Sequence, residues 1–168
     1  MCVSGMEDIT QAMRIWIDAD ACPGAVKELV FRTSQRRQLA VCLVANRALY
    51  VPLSSLVTCV RVTPEPDAVD QYIVEHVAPY DLVITADIPL AAAVVERQAL
   101  AISPRGEVYT AENVQERLAT RNLLQHLRSG GLVLGGPAQL SAADVQKFAA
   151  ALDRSVTKIL KESPPRVD

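Results

Sequence analysis

Three aspartates follow short apolar runs in a pattern that occurs twice. In Arg14-Ile-Trp-Ile-Asp18-Ala-Asp20-Ala-Cys-Pro23 and in Leu82-Val-Ile-Thr85-Ala-Asp87-Ile-Pro89, an apolar strand ends, an aspartate follows, and a proline opens a helix. Parallel strands of one sheet bring their carboxyl ends to one edge, which is where ligands bind in open α/β sheets. Asp18, Asp20 and Asp87 should therefore converge if the first and fourth strands are neighbours. Converging carboxylates repel, and sharing a site raises one pKa sharply unless a cation neutralises the group. Magnesium or manganese suits such an all-oxygen site. Helix N-termini beside Asp20 and Asp87 offset part of the repulsion. Asp67 and Asp70 open the helix before the fourth strand, and either could add a ligand. Simple capping accounts comfortably for one of Asp20 and Asp87, and Asp67 and Asp81 read as a helix-start acid and a loop acid. Asp18 resists that account, because a strand end gains little from a buried carboxylate.

The elements that must position these groups alternate between strand and helix. Strands are expected at Arg14–Asp18, Leu39–Ala45, Cys59–Val62, Leu82–Thr85 and Leu100–Ser103. Helices are expected from Gly24 to Arg37, from Asp67 to Val77 and from Pro89 to about Gln98, with apolar residues at helical spacing. Such alternation favours a mainly parallel sheet covered on both faces. The remainder is read as helical: a segment opened by Thr110 and Asn113 runs to about Arg128, and one opened by Ser141-x-x-Asp144 runs to about Leu160. A glycine-rich loop from Gly130 to Pro137 joins them. Residues 1–12 read as an appendage, 13–161 as a single domain and 162–168 as a tail.

Composition narrows the functional classes. A chain of 168 residues can bury a core without staples. Its net charge of −2 offers no bulk attraction to nucleic acid, so such binding must rest on a local basic face. Aromatic residues make up only 4%, too few for an extended stacking platform. Cys2, Cys22, Cys42 and Cys59 form no C-x-x-C pair, and Cys42 and Cys59 lie in apolar runs as buried hydrophobes would. This argues for a reducing, cytoplasmic setting and against structural zinc. Two histidines leave little room for histidine-based schemes. No apolar run is long enough to span a membrane, and the N-terminus lacks signal-peptide character.

Other residues at the same edge invite a phosphate. Arg105-Gly106 follows the fifth strand and could grip one through guanidinium and backbone N–H groups, with a plain turn as the even alternative. Asn46 and Arg47 end the second strand and invite the same reading more weakly. Thr85 could orient Asp87 by hydrogen bonding, or simply suit a strand. Arg117, Arg121 and Arg128 could form a basic rim, although such a row is more often a solvated face. Cys22 sits beside a helix N-terminus, which can lower a thiol pKa, but no histidine stands near it in the sequence.

Several separated motifs occur together in order: IDADACP, ITADIPLA, SPRG with YT-x-EN, and GGP followed by the Asp144-x-x-x-Phe148 stretch. With them the chain resembles the YaiI/YqxD family of uncharacterised bacterial proteins over about residues 14–153. That family is similar to the PIN-like superfamily, which includes metal-dependent ribonucleases. The resemblance implies a PIN-like three-layer α/β sandwich with a mainly parallel five-stranded sheet ordered 3-2-1-4-5 and additional C-terminal helices. It implies that Asp18 corresponds to the superfamily's first-strand acid, Asp70 to the helix acid and Asp87 to the acid after strand four. Asp20 belongs to the family's own motif. At the last strand the chain departs from the nuclease pattern, with Ser103-Pro104-Arg105-Gly106 in place of a further acid.

Three functions compete. The first is a magnesium- or manganese-dependent nuclease-like hydrolase acting on RNA or another phosphoester, its aspartates holding ions that activate water. The second is a haloacid-dehalogenase-like phosphatase, because Asp18-x-Asp20 after an apolar strand resembles that nucleophile motif. Asp18 would attack phosphorus and Asp20 would move the proton, although the lysine and later acidic pair of that scheme are not evident. The third is a non-catalytic module binding a metal or a partner. Oligomeric state is not legible.

Overall fold

The structure is a computed structural model describing residues 13–131 and 139–163. Six strands form one sheet: β1 (Arg14–Asp18), β2 (Ala40–Ala45), β3 (Val57–Arg61), β4 (Leu82–Ile84), β5 (Leu100–Ile102) and β6 (Val108–Tyr109). Five helices accompany them: α1 (Gly24–Arg37), α2 (Ala68–His76), α3 (Ile88–Glu96), α4 (Val114–Ser129) and α5 (Ala142–Glu162). The sheet order is β3-β2-β1-β4-β5-β6. The first five strands are parallel in the expected order. A sixth, antiparallel strand at the edge is the difference from expectation. It pairs Ile102 with Val108 and Ala101 with Tyr109 across the turn that holds Arg105 and Gly106. With two residues it carries no alternation to read in the sequence.

Strand periodicity sorts the core into two layers. Ile15, Ile17, Val41, Leu43, Leu82 and Ile84 meet α1 and α5 on one face, where Val26, Val30, Phe148, Leu152 and Val156 are buried. Trp16, Cys42, Val44 and Val83 meet α2 and α3 on the other, with Val69, Ile73, Leu90 and Val94. The sheet is thus covered on both sides, which is why its central strands read as unbroken apolar runs. No helix among the described residues is long and apolar enough to cross a membrane.

Local signals account for the starts of α3, α4 and α5. Ser141 and Asp144 form the reciprocal capping box of α5, each side chain accepting the other's backbone N–H at 3.1 and 3.0 Å. The Asp87 carboxylate accepts the Leu90 N–H at 3.0 Å and caps α3, with Pro89 in the first turn. Thr110 and Asn113 bond to each other's backbone and lead into α4. Residues 1–12, Leu132 to Ala138 (with Gly135-Gly136-Pro137) and 164–168, all read above as appendage, loop or tail, lie outside the described residues.

One sequence reading is extended here and one changes. Asp81, read as a loop acid, is 1% exposed and ties together the amino ends of β1 and β4. Its carboxylate accepts from the Arg14 N–H at 3.0 Å, the Trp16 indole Nε1 at 3.0 Å and the Ala78 N–H at 2.9 Å. Cys59, read as a buried hydrophobe, is exposed because β3 is an edge strand; Cys42 is buried as expected.

Gly106 has a packing reason to be glycine. Its φ is +91°, and an added Cβ would lie 2.7–2.8 Å from backbone atoms of Lys147 and Phe148 in α5. The β5–β6 turn therefore rests directly on a helix backbone that cannot step aside. Beside it, Arg105 Nη1 donates to the Asp144 Oδ2 at 2.6 Å, so the turn is also tied to the α5 cap.

Two outcomes follow for stability. Asp81→Ala leaves several buried donors unsatisfied at roughly 1–3 kcal/mol each, so a loss on the order of 3 kcal/mol or more is expected in urea denaturation. Gly106→Ala should cost more than the ~1 kcal/mol that φ alone would impose, because strain and a backbone clash combine. A smaller loss by the same measurement would mean that the turn can lift off α5.

Candidate functional site

The acidic residues meet because of strand parity and the neighbouring positions of β1 and β4. Ile17 stands opposite Ile84, so the next residues, Asp18 and Thr85, emerge side by side at the carboxyl ends. Both share the parity of Trp16 and Val83, which places them on the face covered by α2 and α3. Asp18 is 6% exposed and Thr85 1%. The Thr85 hydroxyl donates to Asp18 Oδ2 at 3.0 Å, while its oxygen accepts the Asp87 N–H at 2.9 Å. A hydroxyl has one proton to give, and here it is given to Asp18. Thr85 was expected to orient Asp87; it does so through the backbone and anchors Asp18 with its own proton.

Asp70 enters from the first turn of α2. Burial pushes its carboxyl up to about 7, helped by the charges of Asp87, Asp18 and Asp67 and by a hydrogen bond with Asp87. Asp18 is also raised, chiefly by burial and then by Asp87 and Asp20, against the lowering effect of Thr85. Asp18, Asp70 and Asp87 thus feel one another at one edge, with Asp67 and Asp20 at the margins. Sequence reasoning expected the strain among Asp18, Asp20 and Asp87. It missed that Asp70 carries the largest burden, since the sequence shows only that Asp70 is one of two acids near the α2 start.

Asp20 is held outward. Its Oδ2 accepts the Asn46 N–H at 3.0 Å, and its Oδ1 lies 3.4 Å from Arg47 Nε. Asn46 and Arg47, read as phosphate binders, thus fasten the exposed Asp20 to the end of β2. Arg105 and Gly106 lie at the end of β5 on the same edge, engaged with α5 as described. Arg117 pairs with Glu107, and Arg121 bonds its neighbour Asn122, as on a solvated helix face. Burial pushes the Cys22 thiol up to about 12, overriding the lowering expected from the helix N-terminus.

The donor set is carboxylate oxygen throughout, the type a hard divalent cation prefers. Among the described residues, no three acidic, cysteine or histidine side chains are grouped closely enough to hold an ion as they stand. Burial and the neighbouring acids favour the protonated form of the Asp70 carboxyl, which shares a hydrogen bond with Asp87.

The raised Asp70 has a consequence for folding. The folded protein binds this proton more tightly than the unfolded chain does, so between pH 3.8 and about 7 it holds more protons. Stability is therefore lost as pH rises through that window. Asparagine mimics the protonated form. With a chelator present, Asp70→Asn should gain stability over the wild type progressively from pH 4.5 to pH 8 in urea denaturation. A difference that does not change with pH would show that the Asp70 carboxyl lies outside the field of its neighbours.

Comparison with known proteins agrees with the motifs. The model of the family described as "Uncharacterized BCR, YaiI/YqxD family" matches residues 16–158. A UPF0178 protein of Geobacter sp. (strain M21) is 57% identical over 154 residues, covering 92% of this chain and 100% of the relative. One from Citrifermentans bemidjiense is 57% identical over 150 residues, covering 89% and 97%. One from Saccharophagus degradans is 54% identical over 151 residues, covering 90% and 100%. No solved structure gives a significant match. The family match spans both aspartate motifs, the β5–β6 turn and most of α5, and the chain belongs to the YaiI/YqxD family.

Proposed function

We propose that the acidic edge binds magnesium or manganese and hydrolyses phosphodiesters, with RNA as the substrate class. The observation that carries this reading is the electrostatic coupling of Asp18, Asp70 and Asp87 on three separate elements at one sheet edge. Burying like charges together costs stability without a compensating function, and such arrangements concentrate at functional sites. The resemblance to the PIN-like superfamily supports it, since that resemblance implies that Asp18, Asp70 and Asp87 correspond to the superfamily's acids.

A bound divalent ion would supply an activated water and stabilise the leaving oxygen. The remaining roles fall to the chain. Asp18, fixed by Thr85, offers its other carboxylate oxygen in a set direction. Asp70 and Asp87 complete the set of carboxylates that would hold the ion. Asp20 would have to leave both Arg47 and the Asn46 N–H to turn inward. A phosphate at Arg105 would share the guanidinium with Asp144 or compete for it. The phosphatase reading has less support, because an Asp18 nucleophile would be 6% exposed with one oxygen already engaged by Thr85.

Manganese or magnesium should raise the melting temperature, since a ligand of the folded state stabilises it by about 2.7 kcal/mol at a hundredfold excess over its dissociation constant. Asp18→Asn should abolish that increment, even if it stabilises the metal-free protein by relieving repulsion. Metal-dependent cleavage of RNA, absent in Asp18→Asn, is expected alongside it. An equal increment in both proteins would mean that Asp18 is no ligand. A trapped aspartyl-phosphate would favour the phosphatase, and metal binding without any cleavage the binding module.

A further inference from the structure

α1 and the β2–β3 loop border an open groove of about 880 Å³. Lys27, Phe31, Arg32 and Arg36 form its helix wall, and Tyr50 and Pro52 its loop wall. Tyr50 is 99% exposed, a large ring held out on a loop with no core to fill. Residues 20–56 contain Lys27, Arg32, Arg36, Arg37 and Arg47 against Asp20 and Glu28, a net +3 in a chain whose total is −2. In the groove itself Lys27, Arg32 and Arg36 stand against one acid, Glu28, a local positive excess of the kind that nucleic-acid binding by an acidic protein requires. Arg32 and Arg36 are partly engaged, by Glu28 at 3.2 Å and Asp153 at 3.6 Å. Lys27 has no ion pair among the described residues.

Both walls of the groove begin close in the chain to residues of the acidic edge. Gly24, at its end, lies four residues after Asp20. Arg47, which holds Asp20, lies three residues before Tyr50, at most about 11 Å of extended chain. We propose that this groove is a subsite for single-stranded RNA, in which one unpaired base stacks on Tyr50 and Lys27 meets an adjoining phosphate. The strand then continues past Arg47 to the aspartates. A base in a duplex is already stacked and cannot offer its face to Tyr50, so the subsite selects unpaired strands. One ring suffices for one base, which fits a protein poor in aromatic residues. The inference rests on the acidic edge being a phosphodiester site.

The test is fluorescence anisotropy of a 5′-labelled single-stranded RNA of about a dozen nucleotides, with chelator present so that no cleavage occurs. Base–aromatic stacking is worth about 1–3 kcal/mol per base, so Tyr50→Ala should weaken binding by about 5- to 150-fold. Tyr50→Phe, which keeps the ring, should bind nearly as the wild type. Lys27→Ala should weaken binding and reduce the salt slope by about 0.7, one phosphate's share for a single strand. Leu53→Ala, exposed on the same loop but outside the groove, should change nothing. Asp18→Asn should bind at least as tightly as the wild type. No binding by the wild type, wild-type affinity for Tyr50→Ala or Lys27→Ala, or equal affinity for duplex RNA would each overturn the subsite. Binding that depends on Tyr50 without metal-dependent cleavage leaves the subsite standing and removes the hydrolase. Cleavage indifferent to Tyr50 does the reverse.

Discussion

The parallel pairing of β1 with β4, with Ile17 opposite Ile84, is the constraint on which the acidic edge depends. The chain winds outward from β1 through β2 to β3, then returns across the opposite face through α2 to take up its place on β1's free side. Right-handed crossovers in both directions put α1 on one face of the sheet and α2 on the other. At the reversal the loops leaving β1 and β4 turn apart, and a crevice opens at their carboxyl ends. Asp18 and Thr85 line it because strand parity leaves them no other face, and the first turn of α2 brings Asp70 over the same place. A one-residue slip between these strands would separate Asp18 from Thr85 and turn one of them into the α1 layer.

The same two strands carry a buried carboxylate at each end, treated in opposite ways. At the amino ends Asp81 receives two backbone N–H groups and an indole N–H, which compensates its burial. At the carboxyl ends Asp18 receives one hydroxyl, and its neighbours are acids that raise its pKa. One end fastens the sheet and the other holds unresolved charge. A chain selected only for stability would gain by treating both alike, and that asymmetry is a physical reason to place function at the carboxyl edge.

Legibility in the sequence followed the length and strength of each local signal. The helix at Gly24–Arg37 and the parallel strands were readable from periodicity, and the Ser141–Asp144 box from its spacing. Two-residue β6 offered no period, and edge strand β3 hid its exposure behind an apolar composition. Asp18 and Asp87 announced themselves by repetition. Asp70 stood out through the family resemblance, and Asp81 did not, because its importance lies in donors brought from residues far along the chain. Arg105-Gly106 looked like a phosphate grip for the same reason: the partners that occupy it, Asp144 and the Lys147 backbone, are about 40 residues away in sequence and visible only once folded.

Those distant partners make α5 the closing piece of the domain. Phe148, Leu152, Val156 and Ile159 cover the face of the sheet carrying Leu82, Ile84 and Ile102, and α5 also packs against α1. During synthesis that face stays open after all six strands have emerged, and it is sealed only when residues 142–162 leave the ribosome. A nascent chain stalled between α4 and α5 would present a wide apolar sheet face, the kind of surface chaperones capture and aggregates grow from. The direct contact of the Gly106 turn with the α5 backbone then serves as a latch, joining the last helix to strands made some forty residues earlier.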